Sequence, residues 1–203
     1  MRTRIKICGI TRPEDAAAAA RFGASYLGFV LWPKSPRAAS LDIVREIVPL
    51  LPEGVTPVGV FVDPTAQQIN DAAEAGIQMA QVHGNSIGEL RGVTIPVIRA
   101  VHLAPDQESG IEPDVADELI LLDAHDPVTH GGTGKTVDWP RAHALARTRR
   151  VILAGGLTPF NVKQAIEEVR PYAVDVASGV ESSPGIKDHG LLRAFIAAAK
   201  EKA

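Results

Sequence analysis

Short apolar runs recur along the chain at nearly regular intervals, and most are followed by a segment whose apolar residues have helical spacing. The run Tyr26–Leu31 is rich in aromatic and β-branched residues, which is typical of a strand buried on both faces. After it, Ser40 precedes a segment whose apolar positions predict an amphipathic helix. Eight strands are predicted in this way, at residues 4–7, 26–31, 57–62, 78–82, 96–101, 118–122, 150–154 and 173–177.

Buried apolar strands that alternate with helices predict a parallel sheet. Eight such units in 203 residues leave about 25 residues for each, which favours a small (β/α)₈ TIM barrel. A doubly wound open sheet is the alternative, but it usually has fewer strands at this length. Since no linker, charge run or shift in composition marks a boundary, we expect residues 1–203 to form one α/β domain.

Several residues are predicted to begin helices. The segment Thr11-Arg12-Pro13-Glu14 has the form of a capping box with a proline in the first turn. Other expected helix starts are Ser40, Asp63-Pro64, Asp138, Thr158-Pro159 and Asp188. The segment 103–113 is polar and contains proline and glycine, so the helix after the fifth strand should be short.

The composition excludes several classes of protein. The formal charge of −3 offers no basic field for nucleic acid or an anionic membrane. The single cysteine rules out an intramolecular disulfide, and the scattered histidines predict no metal cluster. No N-terminal signal and no apolar run of about 18 residues is found, so we expect a cytoplasmic protein without a membrane partner.

The residues at the strand ends suggest proton-transfer chemistry, because a barrel gathers all eight carboxyl ends at one rim. Cys8 ends the first strand, and Gly9 after it permits a sharp turn and the close approach of another group. Asp123 ends the sixth strand. A thiolate can act as a base, and a buried aspartic acid can act as an acid. From the pattern alone, a buried structural cysteine and a turn-forming aspartate remain alternatives.

Small residues follow the last two strands, with Gly155-Gly156 after the seventh and Ser178-Gly179 after the eighth. These are the positions where TIM barrels usually bind phosphate through backbone N–H groups. Arg37 lies on a loop stiffened by two prolines, from which its guanidinium could bind a carboxylate.

The glycine-rich segment Gly131–Thr136 superficially resembles a nucleotide-binding P-loop. Thr129 stands where the first glycine of that motif is needed, and no helix is predicted directly after Thr136. We therefore interpret residues 125–137 as a lid over the mouth of the barrel.

Taken together, these motifs resemble the phosphoribosylanthranilate isomerase family of tryptophan biosynthesis. The similarity covers nearly the whole chain, in order. The segments that carry it are Lys6–Thr11, Trp32–Arg37, Gln81–Gly84, Leu121–Asp123, Gly131–Thr136, Ala154–Leu157 and Val174–Gly185.

The resemblance implies an Amadori rearrangement of N-(5′-phosphoribosyl)anthranilate, with no cofactor and no metal. It implies that Asp123 is the general acid and Cys8 the general base. Arg37 would bind the anthranilate carboxylate, and Asp175 a ribose hydroxyl. The phosphate would be bound by Gly155, Gly156, Ser178 and Gly179. Whether the chain is a monomer or a homodimer stays open.

Three positions depart from the family pattern. Ala177 replaces a usual serine, Trp32 a common tyrosine, and Ala38 a common aromatic residue. The first could remove a hydrogen bond near the phosphate, and the others bear on packing around the substrate ring. His83, His125 and His130 are expected near the mouth without a catalytic role.

Three other functions compete with this interpretation. A related lyase would need a lysine acid at a strand end, and a phosphate-ligand sensor would not need both proton-transfer groups. A dual isomerase that also serves histidine biosynthesis generally has paired aspartates, whereas Cys8 occupies the position of the base here.

Overall fold

The computed structural model describes residues 3–84, 86, 90–103, 119–124 and 138–201. Within them, eight parallel strands close into a barrel in sequence order, each paired with the next and the eighth with the first. The strands are β1 (Arg4–Cys8), β2 (Tyr26–Val30), β3 (Thr56–Val62), β4 (Met79–His83), β5 (Val97–Leu103), β6 (Leu119–Ala124), β7 (Arg150–Leu153) and β8 (Ala173–Val176). The predicted TIM barrel is confirmed.

Six α-helices are found in the described residues. They are α1 (Pro13–Phe22), α2 (Leu41–Ile47), α3 (Ala66–Glu74), α4 (Trp139–Ala146), α5 (Val162–Val169) and α6 (His189–Lys200). None of these helices is long and apolar enough to cross a membrane. The proposed lid and the short helix after β5 lie outside the described residues, so the extent of the single domain stays a prediction.

Side chains along each strand alternate between two apolar layers, one inside the barrel and one between the strands and the helices. One cluster of buried side chains contains strand residues such as Tyr26, Val58 and Leu121 and no helix residue, so it fills the barrel interior. The other contains Ile5 and Ile7 together with the inner faces of the helices. Because side chains alternate along a strand, the remaining positions of β1 face inward, toward the interior.

The predicted helix starts are partly confirmed. Ser40 accepts a hydrogen bond from the backbone N–H of Ile43 (3.3 Å), and Asp138 and Asp188 cap α4 and α6 in the same way. The helix start at Asp63-Pro64 is wrong, because Thr65 caps α3 through a capping box. The start at Thr158-Pro159 is also wrong, since α5 begins only at Val162.

The capping box predicted at Thr11 is wrong as well. Arg12 occupies the cap position of α1 without a side-chain hydrogen bond. The Thr11 hydroxyl instead donates to the carbonyl oxygen of Gly185, at 2.5 Å. That glycine lies in a hairpin after β8, formed by β9 (Glu181–Ser183) and β10 (Ile186–Lys187), and this hairpin was not predicted.

Candidate active site

A cavity of about 140 Å³ lies at the carboxyl end of the barrel, lined by residues of several strands. Four predicted site residues line it, namely Cys8, Arg37, Asp123 and Asp175. They come from β1, the loop after β2, β6 and β8, which are far apart in the chain. The barrel therefore brings the candidate acid, base and carboxylate-binding arginine to one place.

Cys8 lies beside a buried lysine. Lys6 is two residues earlier on β1, so both side chains point to the barrel interior, and Lys6 is completely inaccessible to solvent. The Lys6 Nζ binds Asp175 Oδ1 at 3.0 Å. Gly28 pairs with Cys8 on the neighbouring strand, where a Cβ would lie 2.9 Å from the Cys8 Sγ and 3.1 Å from the Lys6 Nζ. A Cβ there would force the thiol to shift, because the thiol and the ammonium group share this space.

These neighbours set the ionisation of the thiol. Burial raises the pKa of Cys8, the positive charge of Lys6 acts in the opposite direction, and the Asp175 carboxylate adds to the increase. The pKa of Lys6 is raised, since its interactions with Asp175 and Cys8 outweigh the effect of burial. Cys8 is therefore a neutral thiol next to an ammonium group, and the positive charges of Lys6 and, to a smaller extent, Lys187 favour its thiolate form.

Arg37 is already paired. Its Nε donates to both carboxylate oxygens of Glu181 at 3.0 Å, and its Nη2 donates to Oε2 at 2.8 Å. Within the described residues, its Nη1 makes no hydrogen bond. Burial would raise the pKa of Glu181, but its contacts with Arg37 and Lys187 lower it, so this residue is a carboxylate.

A second buried lysine lies behind Cys8. The Lys187 Nζ donates to the carbonyl oxygens of Cys8 (2.5 Å) and Ala177 (3.3 Å) and to Glu181 Oε1 (2.8 Å). Burial lowers its pKa, against the raising effect of Glu181. Neither Lys187 nor Glu181 was predicted as a site residue, because the hairpin strands that carry them are too short to show a periodic pattern. Lys6 was also missed as a site residue, although its place on the Cys8 face of β1 could have indicated it.

The predicted phosphate-binding loops lie next to each other, outside the residues that line the cavity. Gly155 and Gly156 have positive φ angles of 81° and 64°. A Cβ on Gly179 would lie 2.0 Å from the carbonyl oxygen of Leu157, so the loops after β7 and β8 are in close contact there. Ser178 begins a 3₁₀ turn. The two loops are therefore neighbours, and phosphate binding there stays a prediction.

Two polar side chains of β4 complete one wall. The amide of Gln81 and the imidazole of His83 are hydrogen-bonded, with 2.8 Å between their Nε2 atoms, and both are buried. His125 and His130 lie outside the described residues. In the part of the chain that the structure describes, no group of three His, Cys, Asp or Glu side chains could hold a metal ion.

A larger groove of about 550 Å³ adjoins the cavity. The two share Trp32 and Val62, whereas Ala38 lines only the groove. The positions that depart from the family pattern at Trp32 and Ala38 therefore both border this groove. Ala177 lines the cavity itself.

Comparison with known proteins gives a consistent result. The family model described as N-(5′phosphoribosyl)anthranilate (PRA) isomerase matches residues 5–198. A protein of that name from Geobacter sp. (strain M21) is 44% identical over 201 residues, covering 98% of each chain. Its namesake from Pseudomonas aeruginosa (strain UCBPP-PA14) is 43% identical, covering 98% of this chain and 96% of the other.

Solved structures agree with these sequence matches. Phosphoribosyl anthranilate isomerase from Thermotoga maritima has a TM-score of 0.85 at 40% identity, covering 98% of each chain. A structure of such an isomerase in complex with reduced 1-(o-carboxyphenylamino)-1-deoxyribulose 5-phosphate has a TM-score of 0.82 at 38% identity, also covering 98% of each.

Proposed function

This chain belongs to the N-(5′-phosphoribosyl)anthranilate isomerase family of tryptophan biosynthesis, and we propose that the cavity containing Cys8 and Asp123 catalyses its Amadori rearrangement. The observation that carries this proposal is the meeting of these two groups in one cavity, with Lys6 placed against the thiol. The reaction converts an aldose derivative into a ketose derivative by moving protons, and these residues suit that task.

In the first step, Asp123 acts as the general acid. Its carboxyl group gives a proton to the furanose ring oxygen as the bond between that oxygen and C1′ breaks. The lone pair of the anthranilate nitrogen forms a double bond to C1′, which gives a protonated Schiff base. Asp123 is 8% exposed, so little water competes with the substrate for this proton.

In the second step, Cys8 acts as a thiolate, formed by loss of the thiol proton to solvent, and removes the proton from C2′. The electrons of that C–H bond form a C1′–C2′ double bond and neutralise the iminium nitrogen, giving an enol. In the tautomerisation to the ketone, C1′ gains a proton and the C2′ hydroxyl loses one; by exchange with solvent, Cys8 gives up the proton it took and Asp123 regains the proton it gave. Lys6 favours the thiolate through its charge, and the Asp175 carboxylate fixes Lys6 in place. Within the described residues only Oδ1 of Asp175 is hydrogen-bonded, which leaves Oδ2 for a ribose hydroxyl.

The two ends of the substrate have separate binding groups. Arg37 would bind the anthranilate carboxylate through Nη1, since its other nitrogen atoms are engaged by Glu181. Gly155, Gly156, Ser178 and Gly179 would bind the phosphate through backbone N–H groups. The steps transfer protons only, so they need neither a cofactor nor a metal.

The proposal is tested by following the loss of substrate fluorescence with Cys8→Ser and Asp123→Asn. A well-placed acid or base contributes about 10²–10⁴-fold to a rate, so kcat should fall by this factor in each variant while KM changes little. Hydrogen–deuterium exchange at C2′ should be lost in Cys8→Ser. Near-normal turnover and exchange in that variant would show that Cys8 is structural and that the base lies elsewhere on the rim.

The location and assembly of the protein stay predictions. We expect it in the cytoplasm, as a monomer or a homodimer. One similar structure contains monomers generated from a dimeric phosphoribosylanthranilate isomerase of Thermotoga maritima. Sedimentation velocity over a range of concentrations distinguishes the two states.

A further inference from the structure

The carboxylate of Glu181 connects the two halves of the site. Its side chain is 4% exposed. Oε1 accepts hydrogen bonds from the Arg37 Nε (3.0 Å), the Lys187 Nζ (2.8 Å) and the backbone N–H of Gly185 (3.3 Å), while Oε2 accepts from Arg37 alone. A buried carboxylate with this many charged donors has one geometry, because each contact restricts the others.

The Lys187 side chain replaces a backbone hydrogen bond between β1 and β8. The β1–β8 ladder ends at the pair Ile7 and Val176. The next two residues, Cys8 and Ala177, both direct their carbonyl oxygens at the Lys187 Nζ. The ammonium group thus connects the two strands at the point where the backbone ladder stops, and it holds the main chain of the candidate base.

Arg37 is held against the same strand end. Gly9 has a φ of 77°, and a Cβ there would lie 2.9 Å from the Arg37 Cδ and 3.4 Å from the Lys187 Nζ. The aliphatic stem of Arg37 therefore packs on the backbone directly after Cys8. The side chain of Arg37 and the main chain of Cys8 therefore meet at the same strand end and in the same cluster around Lys187.

We propose that Glu181 and Lys187 are a positioning pair that fixes the Arg37 guanidinium relative to Cys8. A substrate carboxylate bound at Arg37 is then held at a set distance from the base that removes the C2′ proton. This inference rests on the proposed function, in which Arg37 binds the carboxylate. Glu181 acts only through Arg37 and Lys187, so it is a positioning residue and not a catalytic one.

The test measures how much the carboxylate of the substrate contributes to kcat/KM. The quantity is the ratio of kcat/KM for N-(5′-phosphoribosyl)anthranilate to kcat/KM for N-(5′-phosphoribosyl)aniline, which lacks that group. Arg37→Met serves as the reference and should lower the ratio by about 10- to 100-fold, as expected for the loss of a charge-assisted pair. Glu181→Gln should lower it by about 10-fold or more. The double variant should match Arg37→Met alone, because the two residues act through one contact.

The control is Glu201→Gln, which breaks an exposed pair with Lys163 and should leave the ratio unchanged. An equal loss for both substrates in Glu181→Gln would mean a structural role, and a higher ratio would mean that Glu181 only competes with the substrate for Arg37. Either result overturns the proposal. If Glu181→Gln does not fold, Glu181→Asp serves instead, since its shorter side chain cannot hold both cations and should also lower the ratio. An unchanged ratio in Arg37→Met would overturn the carboxylate role of Arg37 itself and the pair with it.

Discussion

Replacing Lys6 by methionine should make Cys8 much less reactive. Methionine has a similar length and no charge, so the change removes the ammonium group and leaves the Asp175 carboxylate near the thiol. The Lys6 Nζ and the Cys8 Sγ lie 3.1 Å and 2.9 Å from the same point above Gly28, so they are at most about 6 Å apart. Two unit charges at that distance interact by about 2.8 kcal/mol at an effective dielectric constant of about 20. Without this interaction the pKa of Cys8 rises further, and the thiolate becomes about 100-fold scarcer at a given pH, since about 1.4 kcal/mol is a factor of ten.

The assay is alkylation of the protein by iodoacetamide, since Cys8 is the only thiol. Below the pKa, the logarithm of the rate rises with pH at a slope of one, because only the thiolate reacts. A shift of this plot of log rate against pH measures the change in the pKa of Cys8, even when the pH at which half of the thiol is ionised cannot be reached. At a given pH, Lys6→Met should react about 100-fold more slowly than the wild type.

Two further variants make the test specific. Arg4→Met removes a positive charge from the same face of β1, two residues further from Cys8. It should leave the alkylation rate of Cys8 unchanged at every pH. Lys6→Met/Asp175→Asn removes both charges, whose effects on Cys8 oppose each other, and should recover much of the lost reactivity. It also avoids an unpaired buried carboxylate, which can cost about 3–5 kcal/mol of stability. The reasoning is refuted if folded Lys6→Met reacts at the wild-type rate.

The remaining predictions concern phosphate, packing and pH. Gly156→Val should abolish thermal stabilisation by a phosphorylated product analogue, which is about 2.7 kcal/mol at 100 Kd, and an unchanged shift would place the phosphate elsewhere. Gly28→Ala should lower kcat in steady-state kinetics, because the new Cβ displaces the Cys8 Sγ. Burial would raise the pKa of the Asp15 carboxyl group, but hydrogen bonds, above all the one from Arg12, lower it below its ordinary value of 3.8. Its stabilising effect is therefore lost as pH falls below that value, and urea unfolding of Asp15→Asn should depend less on pH there.

The barrel could be predicted because its strands are short, apolar and regularly spaced, and because parallel strands place their carboxyl ends on one rim. This is why Cys8 and Asp123, about 115 residues apart, could be placed on one rim, and both line the cavity there. The prediction that Gly9 admits another group was also confirmed, and the groups are Arg37 and Lys187. None of this required knowledge of side-chain contacts.

Several of the parts that were missed depend on the hairpin after β8. Its strands have three and two residues, too short for any periodic pattern to predict them. Its turn takes the Thr11 hydroxyl that was expected to cap α1, and its two charged residues bind Arg37 and the main chain of Cys8. A local capping preference is worth about 1 kcal/mol, so tertiary contacts of this kind easily override it.

The buried charged groups of the site stabilise one another. A lone ammonium or carboxylate in the interior would be costly, and it would shed its charge by a shift in pKa. Lys6 is matched by Asp175, and Glu181 is matched by Arg37 and Lys187, so the charges persist without water around them. Cys8 lies between these two sets, with Lys6 near its thiol and Lys187 on its carbonyl oxygen. Cys8 is thus a neutral thiol between two sets of paired charges, and as the proposed base it is the group in this arrangement whose charge must change during catalysis.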